Sequence, residues 1–123
     1  MYTLLFLVLK GRFTLPHSSS KHILESLSRE NAFYFFTSVG NYTGQSAISI
    51  EEFVHKIKEV KIVSLEFHLY RGDFEKWVDE VLEDKILTER IGAVKLLEPV
   101  GNSLRDQLYF TVSKRLEELK STK

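Results

Sequence analysis

Ser49-Ile-Glu-Glu52 constrains this chain more tightly than any other stretch, because it fixes the start of a helix. The Ser49 hydroxyl is placed to accept from the amide of Glu52, and the Glu52 carboxylate to reach back to the amide of Ser49. Together they satisfy two donors that a helix start leaves orphaned. Ile48 and Phe53 stand at the two positions of a hydrophobic staple. Ile50, Phe53, Val54 and Ile57 then share one face, so the spacing predicts a helix to about Val60 with a side that must be buried.

Other amphipathic stretches are available to cover that side. Ile23, Leu24 and Leu27 mark a short helix over Lys21 to Arg29. Asp73 reads as the N-cap of a helix striped by Phe74, Trp77, Val78, Val81 and Leu82. Lys85 to Ile91 reads as a further short helix before Gly92. Ser103 reads as the cap of the last helix, with Asp106 as a weaker capping-box partner. Leu104, Leu108, Val112, Leu116 and Leu119 line one side of it, and Lys114, Arg115 and Lys120 suit its C-terminal dipole. Ser64 can cap a short helix through Tyr70 that Gly72 ends; Leu65, Phe67 and Leu69 also alternate, so a strand is the rival reading for residues 64–70. Phe33-Tyr-Phe-Phe36 favours a strand buried on both faces, and Gly40, Asn41 and Gly44 then turn the chain. The predicted fold is mainly α, a compact single domain of about five helices with a short β element or hairpin near residues 33–47.

With 123 residues, 43% of them hydrophobic and 28% charged, the chain has the length and composition of one globular domain. Tyr2-Thr-Leu-Leu-Phe-Leu-Val-Leu9 is apolar but shorter than the roughly 20 residues a membrane helix needs, and it lacks the flanks of a signal peptide. Gly11, Pro16 and Ser18-Ser-Ser20 follow as a linker. We therefore expect an N-terminal extension or docking segment over residues 1–20, open to question as to whether it is natively translated, and a globular domain over 21–123. Seventeen Lys and Arg balance seventeen Asp and Glu, so no basic field exists to hold a nucleic-acid backbone. With no cysteine in the chain, disulfides, thiol catalysis and thiolate metal sites are excluded, which fits a cytoplasmic protein.

Chemistry concentrates in Ser64-Leu-Glu-Phe-His-Leu-Tyr-Arg-Gly-Asp-Phe-Glu-Lys-Trp77, where Glu66, His68, Arg71 and Asp73 lie among Phe67, Tyr70, Phe74 and Trp77. Titratable groups in apolar surroundings mark either a pocket or a buried ion-pair network. His68 with Glu66 and Asp73 has the residue types of a general base or a metal site, but the spacing matches no ligand motif, and a structural histidine bonded to a carboxylate or carbonyl is the favoured reading. In Arg71-Gly72-Asp73, the glycine is expected to turn the chain, the aspartate to cap, and the arginine to pair with an acid. In Asn41-Tyr-Thr-Gly44, a tight turn with Tyr42 packed down competes with a ligand loop. Asp79, Glu80, Glu83 and Asp84 read as a solvated helix face, not a calcium loop. The candidate binding surface is Tyr42, Thr43, Glu66, His68, Arg71 and Asp73; no catalytic residue, metal ligand or cofactor is assigned. No Walker-type loop, Rossmann glycine pattern, nucleophile elbow or zinc spacing is present.

Phe33-Tyr-Phe-Phe36, Tyr42-Thr-Gly44, Ser49-Ile-Glu-Glu-Phe53, Ser64-Leu-Glu-Phe-His68, Arg71-Gly-Asp-Phe74 and Trp77 form a set that resembles a small, uncharacterised prokaryotic domain family frequent in archaea. The resemblance spans about Phe33 to Ile91 and implies no activity, cofactor or catalytic residue. The function expected is a non-enzymatic binding or regulatory module that acts on another protein or on a second copy of itself, without direct nucleic-acid or membrane binding. Two alternatives stay open. One is a small-molecule or metal-dependent enzyme using Glu66, His68, Arg71 and Asp73; the other is an accessory to a ribonucleoprotein.

Overall fold

A computed structural model describes residues 20–122; the segment expected to extend or dock over residues 1–20 lies, but for Ser20, outside the described residues. In chain order they form α1 (Ser20–Leu24), a 3-10 turn (Arg29–Asn31), β1 (Phe33–Ser38), β2 (Asn41–Ala47), α2 (Ile50–Glu59), α3 (Ile62–Arg71), α4 (Asp73–Trp77), a π-helical turn (Val78–Leu82), α5 (Lys85–Leu96) and α6 (Gly101–Thr122). The domain is mainly α with one antiparallel hairpin, as its sequence predicts.

The capping at Ser49 forms, with one shift. Ser49 is extended and its hydroxyl accepts from the Glu52 amide at 3.1 Å, while Glu52 Oε1 takes the amide of Ile48, not of Ser49, at 2.9 Å. Ile50, Phe53 and Ile57 of α2 are fully buried. α6 is the central post: it packs against α1, α2, α3 and α5, and Leu104, Leu108 and Val112 are fully enclosed there. The hairpin lies across the other side, β1 on α3 and β2 on α2. Phe33 is the hub of that side, with the rings of Phe35, His68, Phe74, Trp77 and Phe53 centred 4.8–5.9 Å from its own. Burying one such aromatic stabilises the fold by about 1.5–3 kcal/mol before the cost of ordering it.

Several boundaries differ from the predicted ones. The first helix stops at Leu24, because the Leu27 amide leaves the helical ladder and donates to Ile48 O at 2.7 Å. In β1 only Phe33 and Phe35 reach the core; Tyr34 and Phe36 are half-buried under the Tyr42 ring, so the strand is buried on one face. Residues 64–70 are helical, but Ser64 is no cap: α3 begins at Ile62, and the Ser64 hydroxyl is buried inside it without a hydrogen-bond partner. Gly72 (φ 81°) ends α3 and is itself the N-cap of α4. α5 runs through Gly92 to Leu96; a Cβ at Gly92 would stand 3.0 Å from Glu75 Oε2, so this glycine makes room for a carboxylate and stops nothing. α6 starts at Gly101 (φ 60°), and Ser103 accepts from the Gln107 side chain.

Candidate functional site

The left-handed turn at Gly72 folds Asp73 back beside the last turn of α3. Asp73 Oδ2 there accepts from His68 Nδ1 at 2.8 Å and from Arg71 Nε at 3.1 Å. His68 Nε2 accepts from the backbone amide of Phe36 in β1 at 2.8 Å. An amide can only donate, so Nε2 holds the lone pair and Nδ1 the proton: the ring is neutral and in one tautomer. Burial pushes the His68 pKa down from 6.5; the Asp73 hydrogen bond and charge pull it up without overcoming the burial, and Arg71 adds to the depression. The Arg71 guanidinium lies over the Phe67 ring at 4.9 Å.

His68, Arg71 and Asp73 therefore meet, and they border a groove of about 330 Å³ lined by Phe33, Tyr34, Phe36, Phe67 and the hairpin turn. Arg71 finds the acid expected for it. Asp73 does not cap α4, because its carboxylate is turned to His68 and Arg71. Glu66 stands elsewhere. Four residues before Tyr70, it shares that residue's side of α3, where Glu66 Oε2 accepts from the Gly101 amide at 2.9 Å and Tyr70 donates to Pro99 O at 2.5 Å. Both hold the connection from α5 to α6. Thr43 Oγ1 is used within the hairpin, donating to Phe35 O at 2.7 Å and accepting from the Gln45 amide at 3.0 Å. With Tyr42 it lines a separate cleft beside Glu59 and Lys61. A general base or metal ligand needs a free imidazole lone pair, and that of His68 is taken by Phe36. No group of three or more His, Asp or Glu among the described residues could hold a metal ion.

A second titratable network has no counterpart in the sequence reading. Asp84, read there as part of a solvated ridge, is 2% exposed. Its Oδ1 caps α5 through the Leu87 amide at 3.0 Å, and its Oδ2 accepts from Arg115 Nε at 2.8 Å. Arg115 reaches Glu118 at 3.2 Å, and Arg90 donates to both Glu118 oxygens at 3.0 Å. Burial alone would lower the Arg115 pKa; Asp84, and then Glu118, outweigh it and raise it. An Asp directly before an apolar helical run is an N-cap signal, and that signal was legible at Asp84.

An exposed apolar groove lies between α5 and α6. Leu97 and Phe110, 70% and 65% exposed, border a groove of about 510 Å³ together with Ala93, Val94, Gln107 and Thr111, with Arg90 and Lys114 at its edges. Phe110 follows Leu108 by two residues, about 200° further round the helix. That places an aromatic ring opposite the buried stripe, a sign readable from spacing alone.

A hairpin laid on a helical bundle whose long last helix is its central post defines a small mainly α domain, and no described helix is long and apolar enough to cross a membrane. The chain belongs to a family of unknown function (DUF5752), whose family model matches residues 28–123 and so takes in α6 as well as the motifs around His68. No curated protein and no solved structure matches it.

Proposed function

We propose that this domain is a non-enzymatic protein-binding or regulatory module whose docking surface is the groove between α5 and α6. The observation that carries this reading is the exposure of Leu97 and Phe110 beside one apolar groove. Nothing in the packing of α6 requires an aromatic at position 110, since the buried side of that helix is already complete with Leu104, Leu108 and Val112. A contiguous apolar patch with polar edges is the surface that protein partners use. The engaged state of both His68 nitrogens supports the non-enzymatic part of the reading.

The test is capture of partners from the native host by the parent protein and by Phe110→Asp and Leu97→Asp. Both positions are exposed, so the variants are expected to melt like the parent. Proteins retained by the parent and lost by both variants support the reading. Identical retention by all three overturns it.

A further inference from the structure

Resting on that docking surface, we propose that its partner is a second copy of this chain, with the two α6 helices antiparallel about a two-fold axis at Phe110. The exposed side of α6 carries Ser103, Asp106, Phe110, Lys114 and Glu117 at helical spacing. In an antiparallel pair centred on Phe110, a residue four positions before it meets the residue four positions after it on the other helix. Asp106 and Lys114 are those two residues, so each copy's aspartate faces the other's lysine, and the pair occurs twice.

Neither Asp106 nor Lys114 has an ion-pair partner among the described residues, whereas the other cation of this face, Arg90, is committed to Glu118. A two-fold interface must be complementary to itself, residue i touching j while j touches i. Opposite charges at equal distances on either side of an exposed aromatic meet that condition, and a different partner would not require it. Ala93 and Thr111, both small, leave the groove open for the ring that crosses the axis. The 22 residues of α6 give a rod of about 33 Å on which such a pairing can lie.

The experiment is sedimentation equilibrium of the full chain over a wide concentration range, with circular dichroism to confirm that each variant is folded. The parent is expected to form a dimer that Phe110→Asp abolishes. Asp106→Lys sets lysine against lysine, and Lys114→Asp sets aspartate against aspartate; each alone is expected to weaken the dimer by about tenfold or more. The two together recreate both pairs with their signs exchanged and are expected to recover most of that loss. A parent that stays monomeric at every concentration overturns the proposal. So does a dimer indifferent to either single charge reversal, or a double variant no better than its singles. A monomeric parent whose captured host proteins are still lost in Phe110→Asp overturns self-pairing and leaves the docking surface standing; a monomeric parent with capture unchanged removes both.

Discussion

His68 joins three elements through one ring: α3 carries it, β1 supplies the amide that donates to Nε2, and the first residue of α4 accepts the hydrogen bond from Nδ1. Its pKa is depressed in the folded state, so the folded protein favours the neutral ring more than the unfolded chain does. The resulting stabilisation is fully present above pH 6.5 and is lost as pH falls through the lower, folded value. An NMR titration of the His68 ring should give a midpoint below 6.5, and a midpoint at or above 6.5 would contradict the neutral, doubly bonded state. Removing the ring strands the Phe36 amide and opens the aromatic cluster, so His68→Ala should cost about 2–4 kcal/mol. Arg71 is half-exposed and its pairing with Asp73 is screened, so Arg71→Ala should cost less than about 1 kcal/mol. Denaturant midpoints of the two variants separate these expectations. The sequence marks His68 as the residue to watch, because a histidine among aromatics is conspicuous. Its carboxylate partner, Asp73, is close in sequence as expected, whereas the Phe36 amide on its other nitrogen is 32 residues away in a hairpin, and no local spacing encodes that contact.

At the scale of the element, local rules located the helices and misplaced several of their ends. Ser64 shows the reason. It has the chemistry of a cap and sits before an apolar run, but α3 begins two residues earlier and the hydroxyl is enclosed. A buried hydroxyl without a partner is a liability, and alanine is the better helix former. Ser64→Ala should therefore leave stability unchanged or raise it by about 1 kcal/mol, whereas loss of a true cap would lower it by a similar amount; urea denaturation gives the sign. Asp73 and Asp84 are the converse pair. Both precede apolar helical runs, and only Asp84 caps, because Asp73 is claimed by His68 and Arg71. Competition for a carboxylate is decided by tertiary neighbours that the sequence does not display. Trp77 was legible from its stripe: it is 7% exposed and donates to Asn31 O at 2.8 Å. Trp77→Ala should lower stability by about 3–5 kcal/mol, and a shift in the denaturation midpoint worth less than about 1 kcal/mol would remove it from the core.

At the scale of the whole molecule, the buried side chains of the described residues run from Ile23 to Leu119 and form one apolar cluster. A protein beginning at Ser20 should melt cooperatively and keep its helical circular dichroism; an unfolded product would show that the preceding residues complete that cluster. The overall class was readable because the helical stretches and the aromatic hairpin read from the sequence agree with one another. The candidate sites were readable only in part: the His68 cluster is compact in sequence, whereas the α5–α6 groove exists because two helices 28 residues apart at Arg90 and Glu118 come together. The bond from Phe36 to His68 bears on a hazard of a different kind. A sheet of two strands has no inner strand, so each strand keeps a free margin on which a neighbouring molecule could lay its own backbone. The imidazole occupies that margin at Phe36 and presents a ring where an incoming strand would need a carbonyl. Acid that protonates the ring turns Nε2 into a donor facing a donor and reopens the seat. The side chain with the look of a catalyst thus also closes the hairpin's edge at Phe36, and acid that protonates its ring removes that closure.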